Sequence, residues 1–307
     1  MTHPSGAAPT ALRTLVAGVV DYAGLFPPAS LDMPTAVANY ATYRASDDAW
    51  MLGRFVVPAA RLDEWTAAIA ALTPADALAW NGAHLSVLLS GEFAHESAQV
   101  TDFNARAPFG VRIDVLEGRT PSVDAVLAMA AAVPDDVTLY CEVPHCDDPL
   151  ELLQAVQRAR VRAKIRTGGV TADAFPSPAE IVRFLRRCHD LDVTAKSTAG
   201  LHHPLRGDYR LTYDADAVRG TMYGFLNVFL AAAAIRAGAS DSVATSILLL
   251  TDATEITSGE LGMTACGVEI SSGVLQTMRA DGLVAFGSCS FVEPVSELRD
   301  FYSEAAP

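Results

Sequence analysis

The 307-residue sequence predicts an α/β fold, a (β/α)8 TIM barrel built as a single domain over residues 1–307. The length suits this fold, which typically takes about 250 residues in one domain. Half of the residues are hydrophobic, which allows a large core and excludes global disorder. Short β-branched runs alternate with Ala- and Leu-rich stretches of helical spacing, as in parallel βαβ units. A doubly wound open sheet is the main alternative.

The alternation predicts eight strands with helices between them. The strands are expected at residues 15–21, 53–57, 84–89, 111–116, 137–142, 162–167, 193–198 and 283–288. The helices are expected at residues 34–44, 62–72, 93–106, 123–132, 149–158 and 178–189. Helix-start signals support several of them, since Ser122 and Ser177 each precede a helix and Asp63 lies in a first turn.

The seventh connection, residues 201–282, is far longer than a strand-to-strand crossover requires. It contains a polar loop at 202–220 and helix candidates at 224–237, 243–251 and 268–278. We interpret it as an insertion into the barrel. Such an insertion forms a lid or substrate-binding loop, or else extra scaffold and an oligomer interface. The apolar helix at 224–237 is the one indication of a homo-oligomer.

Composition and charge exclude several classes of protein. The formal net charge of −14 argues against a nucleic-acid binder, because proteins that bind the phosphate backbone carry basic patches. No stretch reaches the roughly 18 uninterrupted apolar residues of a membrane span. The first ten residues lack the basic and apolar regions of a signal peptide. Five cysteines without a CxxC pair do not indicate a disulfide framework. We therefore expect a cytoplasmic protein that binds neither nucleic acid nor membranes.

Lysine usage is the most informative compositional feature. Of the 22 basic residues only Lys164 and Lys196 are lysines, and the rest are arginines. Codon bias in a GC-rich genome explains the abundance of Arg and Ala, but it does not explain why two lysines persist. Arginine cannot be deprotonated to a nucleophilic amine, so a site that needs a neutral amine must use lysine.

The two lysines fall on neighbouring predicted strands, the sixth and the seventh. Adjacent strands lie about 4.8 Å apart, so inward-facing residues at one level bring two amines together. Mutual repulsion and desolvation both lower the pKa of a lysine toward neutrality. This arrangement predicts a neutral amine that attacks a carbonyl to form a Schiff base. The alternative is that one or both lysines form ordinary ion pairs.

Three acidic residues are candidates to complement the lysines. Asp114 lies in the fourth strand, where alternation places it on one face with Arg112. Glu142 ends the fifth strand and Asp21 ends the first. A carboxylate near a lysine pair can transfer protons, so Lys164, Lys196, Asp114 and Glu142 are the candidate catalytic residues. The alternatives are internal salt bridges for Asp114 and Glu142, and a turn cap for Asp21.

Candidate substrate-binding residues lie near the strand ends. The last strand runs into a Gly-Ser-x-Ser turn, whose N–H groups and hydroxyls can bind an anion at a helix start. A tight turn explains this segment equally well. Arginine and histidine side chains after the sixth and seventh strands can hold a carboxylate, a phosphate or a polyhydroxy tail. The candidates are Asp21, Arg166, Thr167, His202, His203, Arg206, Gly287, Ser288 and Ser290.

The histidines have a second interpretation as metal ligands. His145 and Cys146 follow the fifth strand, and His202 and His203 follow the seventh, so four side chains of suitable type can surround zinc. No HxH or HxxxH spacing occurs, and adjacent histidines point apart unless the loop bends. We expect no metal and no cofactor. Cys289, at the end of the last strand, is either reactive or a small buried residue.

The motifs around both lysines resemble those of the deoxyribose-phosphate aldolase family. The segments AKIRTGG and VTAKSTAGL resemble the family's strand-six motif K-T-S-T-G and strand-seven motif K-x-A-G-G, at a similar spacing. Further segments resemble the other strands in order: VVDYAGLFPPASLDM, FVVPAARLDEW, RIDVLEG, LYCEVPHCDDPLEL and AFGSCSF. The likeness therefore covers most of the barrel. Val56, Ile165, Arg166 and Ala199 depart from the family pattern, as does the long insertion.

The resemblance implies a class I aldolase, which needs no cofactor, on a (β/α)8 barrel. It implies that Lys164 forms the Schiff base, that Lys196 perturbs it and that Asp114 relays protons. The implied phosphate turn includes Gly287, Ser288 and Ser290.

The predicted function is a Schiff-base aldolase-type carbon–carbon lyase. Its expected partner is a small carbonyl or sugar-like substrate, with or without a phosphate. Two alternatives stay open. One is a metal-dependent hydrolase or lyase on the same barrel that uses His145, His202 and His203. The other is a non-catalytic barrel with a role in assembly.

Overall fold

The computed structural model describes residues 8–144 and 148–304. The strands are β1 (Val20–Tyr22), β2 (Leu52–Pro58), β3 (His84–Leu88), β4 (Arg112–Arg119), β5 (Thr138–Val143), β6 (Arg162–Arg166), β7 (Ala195–Thr198), β8 (Gly207–Arg210), β9 (Arg219–Met222), β10 (Ile256–Ser258), β11 (Gly262–Ala265), β12 (Val268–Ser271) and β13 (Leu283–Ser288). The α-helices are α1 (Thr10–Val16), α2 (Met33–Arg44), α3 (Leu62–Ala70), α4 (Pro74–Leu78), α5 (Phe93–Arg106), α6 (Val123–Ala132), α7 (Leu150–Arg158), α8 (Pro178–Asp190), α9 (Phe225–Arg236), α10 (Asp241–Leu249), α11 (Ser272–Asp281) and α12 (Val292–Glu304).

The predicted (β/α)8 barrel is confirmed. Eight strands close in the order β1-β13-β7-β6-β5-β4-β3-β2, and every neighbouring pair is parallel. Helices alternate with these strands along the chain and cover the barrel. The predicted helix starts are also confirmed, because Ser122 and Ser177 both accept a hydrogen bond from the first turn and Ser177 forms a capping box with Glu180.

The first predicted strand is wrong over most of its length. The pattern predicts an extended segment at residues 15–21, but Thr10–Val16 form α1 and β1 begins only at Val20. The buried residues Leu12, Leu15 and Val16 recur at helical spacing, so they face the core from α1. Gly18 then adopts a φ of 59°, which turns the chain from the helix into the strand.

The insertion after β7 combines a hairpin, helices and a small sheet. Strands β8 and β9 pair as a hairpin, and β10, β11 and β12 form a three-stranded antiparallel sheet. The helix expected at 268–278 begins only at Ser272, because Val268–Ser271 pair as β12. The Ser271 side chain caps the start of α11 by accepting the N–H of Val274.

Helix α9 explains the most apolar segment of the sequence. Its residues from Phe225 to Ile235 are buried within the chain, and Phe225 stacks on Phe286 of β13 at 5.2 Å between ring centroids. The buried Asn227 side chain donates to the carbonyls of Ile247 and Leu250. Because the chain itself covers α9, its apolar character does not indicate an oligomer interface. Among the described residues, no helix has the length and apolar character needed to cross a membrane.

Candidate active site

A cavity of about 620 Å³ opens at the carboxyl ends of the barrel strands. This is the end at which (β/α)8 enzymes place their active sites. Its charged and polar lining includes Glu117, Arg119, Glu142, Lys164, Arg166, Lys196, Thr198, His202, His203, Arg210, Thr212, Tyr213, Cys289 and Glu293. The barrel strands, the insertion and the last helix therefore all contribute to one cavity.

Lys164 and Lys196 are paired in register across β6 and β7. Both line the cavity and both are almost fully buried, at 3% and 1% exposure. The placement of the two lysines on neighbouring strands is as the sequence predicts. A buried ammonium group requires a compensating charge, and each lysine has two.

Glu117 joins the two lysines, although it is not among the residues predicted from the sequence. Its Oε2 lies 2.8 Å from Lys164 Nζ, and its Oε1 lies 2.6 Å from Lys196 Nζ. The Ser86 hydroxyl donates to Oε1 at 2.5 Å. Glu117 thus uses both carboxylate oxygens inside the barrel and is 2% exposed. The available signal was an acid directly after the apolar pair Val115–Leu116, because an acidic residue inside a strand is rarely buried without partners.

Asp114, the acid of β4 that was predicted to complement the lysines, contacts Arg54 and His84 instead. Its two oxygens bind the guanidinium of Arg54 at 2.7 and 2.8 Å, and Oδ2 lies 3.1 Å from His84 Nδ1. It does not line the cavity. For Asp114 the alternative expectation, an internal salt bridge, is the arrangement present.

A β-bulge at Asp114 explains why Glu117, and not Asp114, contacts the two lysines. Leu85 pairs with Ile113, and the next residue, Ser86, pairs with Val115, so Asp114 is an extra residue in β4. A bulge shifts by one the alternation of inward and outward side chains beyond it. Glu117 faces the barrel interior in consequence. Without the bulge, alternation along β4 would place the Glu117 side chain on the outer face of the barrel.

Asp21 and Glu142 complete the charge cluster at its two ends. Asp21 Oδ2 lies 2.5 Å from Lys196 Nζ, and its Oδ1 accepts the backbone N–H of Arg54 at 2.8 Å. Glu142 Oε2 lies 2.8 Å from Lys164 Nζ. The order Asp21, Lys196, Glu117, Lys164, Glu142 alternates in sign, with three carboxylates against two ammonium groups.

The cluster holds Lys196 in its charged form. Burial by itself lowers the pKa of Lys196, but the charges of Asp21 and Glu117 and their hydrogen bonds outweigh it and raise that pKa. Burial likewise favours neutral Glu117, yet the charges of both lysines hold its pKa well below the usual value. The expectation that mutual repulsion lowers the pKa of both lysines is therefore wrong for Lys196, because a carboxylate lies between the ammonium groups.

Several predicted substrate-binding residues lie on the cavity wall. Arg166, His202, His203 and Gly287 are among them. His202 Nδ1 lies 3.2 Å from Glu293 Oε2, and His203 Nδ1 lies 2.8 Å from Glu297. These groups give part of the wall a polar character suited to substrate oxygens.

Other predicted binding residues serve the backbone instead. The buried Thr167 hydroxyl lies within hydrogen-bonding distance of the carbonyls of Thr198 (3.2 Å) and Ala199 (2.8 Å), and so ties β6 to β7. Ser288 Oγ accepts the N–H of Ser290. Thr167, Ser288 and Ser290 do not line the cavity.

Ser290 Oγ accepts the N–H of Glu293 in the first turn of α12. Both serine side chains thus fit the tight-turn interpretation of this segment. Arg206 also lies outside the lining, and its backbone N–H donates to Asn227 Oδ1.

The residues proposed as zinc ligands are only partly described. His145 and Cys146 lie outside the described residues. Within residues 8–144 and 148–304, no group of three or more His, Cys, Asp or Glu side chains is arranged to hold a metal ion. Each of the two neighbouring histidines faces a different glutamate, Glu293 or Glu297.

Comparison of the chain with protein-family models, with curated proteins and with solved structures finds no match. The resemblance to deoxyribose-phosphate aldolases therefore rests on the short motifs around the lysines and strand ends. The fold and the geometry of the cavity carry the functional argument.

Proposed function

We propose that this protein is a cofactor-independent, Schiff-base-forming aldolase-type lyase whose nucleophile is Lys164. One observation carries the proposal. Lys164 Nζ lies at the cavity between two carboxylates, Glu117 and Glu142, each 2.8 Å away. A buried amine in contact with a cavity-lining carboxylate that can accept its proton fits a lysine nucleophile activated by an adjacent general base.

The two lysines have different surroundings, and this difference supports separate roles for them. Lys196 is bound by Asp21, which does not line the cavity, and by Glu117, so its partners hold it as an ammonium ion. Lys164 instead contacts Glu142, which lies one residue before the end of β5 and does line the cavity. The proton on Lys164 therefore has an acceptor beside the substrate, whereas Lys196 supplies a fixed positive charge.

The first chemical steps form the iminium ion. Lys164 Nζ transfers a proton to Glu142, and the neutral amine attacks the substrate carbonyl carbon. Glu142 returns the proton to the carbinolamine oxygen, which leaves as water. Glu142 Oε2 contacts Lys164 Nζ and Glu142 Oε1 lies 3.6 Å from Arg119 Nε, so Glu142 is the carboxylate of the cluster that faces the cavity and can accept the Lys164 proton.

The iminium ion then acts as the electron sink for carbon–carbon chemistry. Glu142 takes the proton of the substrate hydroxyl as the electrons of the breaking carbon–carbon bond move into the iminium, giving an enamine and a released carbonyl compound. The Glu142 carboxylic acid then protonates the enamine carbon, and water hydrolyses the resulting iminium. Condensation runs through the same steps in reverse. In the free protein the charges of Lys164 and Lys196 together hold the pKa of Glu117 below its usual value, and Lys196 keeps its contact with Glu117 when Lys164 reacts.

The cavity suits a small carbonyl or sugar-like substrate. A volume of about 620 Å³ is that of a small-molecule site. Arg166, His202 and His203 on the wall provide donors for a carboxylate, a hydroxyl or a phosphate.

Borohydride trapping tests the proposal. The protein is incubated with a panel of small aldehydes and ketones, with and without a phosphate group, then reduced and mapped by peptide mass spectrometry. With two lysines in the chain, background labelling is limited to Lys196 and the N-terminal amine. We expect a reduced adduct on Lys164 that disappears in Lys164→Arg.

A thermal unfolding scan of Lys164→Arg verifies that the variant is folded. An adduct on Lys196 alone overturns the assignment of the nucleophile. No lysine adduct with any carbonyl in the folded wild type overturns the Schiff-base function. Undiminished turnover of the trapped carbonyl compound by folded Lys164→Arg also overturns the Schiff-base function.

A further inference from the structure

A second group of reactive side chains lies on the wall of the same cavity. Cys289 Sγ lies 3.9 Å from His202 Nε2, and His202 Nδ1 lies 3.2 Å from Glu293 Oε2. The Tyr213 hydroxyl donates to the same Glu293 oxygen at 2.7 Å and lies 3.6 Å from Cys289 Sγ. All four residues line the cavity. The aldolase chemistry proposed above uses none of them as nucleophile, acid or base.

Segments that follow two neighbouring barrel strands, the start of α12 and the β8–β9 connection bring these residues together. Cys289 follows β13 directly and His202 follows the adjacent parallel strand β7. Glu293 lies in the first turn of α12, where its N–H donates to Ser290 Oγ. Tyr213 comes from the segment that joins β8 to β9. A nucleophile, an imidazole and a carboxylate in hydrogen-bonded series is the arrangement that activates a thiol or hydroxyl in unrelated enzymes.

The electrostatic environment favours an imidazolium ion at His202. Burial lowers the pKa of this histidine, but its hydrogen bonds to Cys289 and Glu293 and the charges of those groups raise it to about 9. The ring is then charged at neutral pH, with one N–H directed to Glu293 and the other to Cys289. A neighbouring imidazolium stabilises the thiolate form of a cysteine. The nearby His203 ring is hydrogen-bonded to Glu297 through Nδ1 and stacks on Tyr209.

We propose that Cys289, His202 and Glu293 form a second reactive site in this cavity, in which the Cys289 thiol adds reversibly to an aldehyde. The Sγ lone pair attacks the carbonyl carbon, and a carbon–sulfur bond forms as the carbonyl π bond breaks. The carbonyl oxygen takes the Nε2 proton of His202. The product is a thiohemiacetal, and the reverse steps restore the thiolate, the imidazolium and the aldehyde. No oxidant or reductant is consumed.

The choice of an aldehyde rests on the proposed function, since Lys164 and Cys289 line one cavity and aldol cleavage releases a carbonyl fragment. The thiol site would hold the aldehyde that the Lys164 reaction releases or takes up. The nucleophilic character of Cys289 is independent of that function, because it follows from the contacts with His202 and Glu293. The two proposals can therefore fail separately.

Alkylation rates test the activated thiol. The protein is treated with iodoacetamide at pH 6, and each cysteine is followed by peptide mass spectrometry. Cys266 is the internal reference, because it is partly exposed whereas Cys289 is 6% exposed. We expect Cys289 to react about tenfold faster than Cys266, since His202 and Glu293 lie in series beside the Cys289 thiol whereas burial raises the pKa of the Cys266 thiol.

Three variants separate this explanation from accessibility. His202→Asn and Glu293→Gln remove the imidazolium or its partner, and each should lower the Cys289 rate about fivefold or more while Cys266 is unchanged. Cys266→Ser is the matched control and should leave the Cys289 rate as in the wild type. Alkylation of Cys289 no faster than Cys266, or no slower in folded His202→Asn, overturns the activated thiol.

Protection by an aldehyde tests the covalent step, and Lys164→Arg is used so that no Schiff base forms at that position. We expect millimolar propionaldehyde to slow alkylation of Cys289, and removal of the aldehyde by gel filtration to restore it. Propan-1-ol and acetone have similar size but add thiols poorly or not at all, and they should not protect.

If propan-1-ol slows alkylation of Cys289 as much as propionaldehyde does, the aldehyde merely blocks access to the thiol, and the thiohemiacetal is overturned. The absence of any protection by propionaldehyde overturns it as well. Protection of Cys289 with no borohydride adduct on Lys164 of the wild type supports the thiol site and overturns the aldolase. An adduct on Lys164 with no activation of Cys289 supports the aldolase and overturns the thiol site.

Discussion

Lys164 and Lys196 are direct register partners on β6 and β7, yet their ammonium groups are held apart by the carboxylate of Glu117, one oxygen to each. This arrangement replaces repulsion between two buried cations with attraction to a shared anion. It also makes the two lysines unequal, because Lys196 has an inner partner and Lys164 has a partner at the cavity. Loss of a carboxylate should therefore have a different effect at each lysine.

Glu142→Gln should slow the amine chemistry without removing Lys164. The carboxylate that accepts the Lys164 proton becomes an amide that cannot, so we expect a loss of about 10²-fold, at the lower end for general acid–base catalysis. The measurement is the rate of α-proton exchange in deuterated water for whichever carbonyl compound gives the Lys164 adduct, followed by NMR.

Asp114→Asn is the matched control for that experiment, because it makes the same acid-to-amide change on the neighbouring strand. Asp114 pairs with Arg54 away from the cavity, so its exchange rate should stay within about twofold of the wild type. A large loss in Asp114→Asn with none in Glu142→Gln would restore the sequence-based assignment of the proton relay.

Glu117→Gln should destabilise the fold. Removing one partner of a buried ion pair leaves uncompensated charge, which costs about 3–5 kcal/mol in the free energy of unfolding. Urea denaturation at pH 7 measures the loss. Glu64→Gln is the control, because the exposed Glu64–Arg61 pair contributes only about 0–1 kcal/mol. Equal stability of Glu117→Gln and the wild type would contradict the charge cluster.

The stabilisation by Glu117 should depend on pH in one direction. Its pKa is lower in the folded chain than in the unfolded chain, where it lies near the ordinary value of about 4.3. The contribution is therefore complete above that value and is lost as the pH falls below it, because the unfolded chain binds the proton first. The stability difference between wild type and Glu117→Gln should narrow from pH 5 to pH 3 in urea titrations. A constant difference would contradict this linkage.

Thr167→Val should lower stability and spare the chemistry. The hydroxyl is bonded to carbonyls that join β6 to β7, and its loss costs about 1–2 kcal/mol in the free energy of unfolding. The Lys164 trapping rate should stay within about twofold of the wild type. Unchanged stability with weakened trapping would instead place Thr167 at the substrate.

The His202 ring should titrate near pH 9 in the folded protein. Ring-proton NMR follows the titration, and the His202→Asn spectrum assigns the signal. Cys289→Ser removes a group that raises this pKa, so the midpoint should move down. A midpoint near the ordinary value of about 6.5 in the wild type would contradict the imidazolium at this site.

Local patterns in the sequence were sufficient for the barrel, but not for α1 or for the strands β8 to β12 of the insertion. Alternating β-branched and helical segments predicted the barrel, and serines at helix starts predicted the caps, because both depend on neighbours within a few residues. The scarcity of lysine singled out Lys164 and Lys196 without any structure. Helix α1 was missed because a short apolar segment is compatible with either period.

Only the tertiary structure decided which groups meet the lysines. The bulge at Asp114 is visible in the pairing of β4 with β3, and it directs Glu117 into the barrel. Asp21 reaches Lys196 across 175 residues of chain, and Cys289 reaches His202 across 87. Residue types and local periodicity are encoded along the chain, whereas register and long-range contact depend on how the barrel closes. For that reason the sequence by itself determined the barrel and its amines, and strand pairing determined their partners.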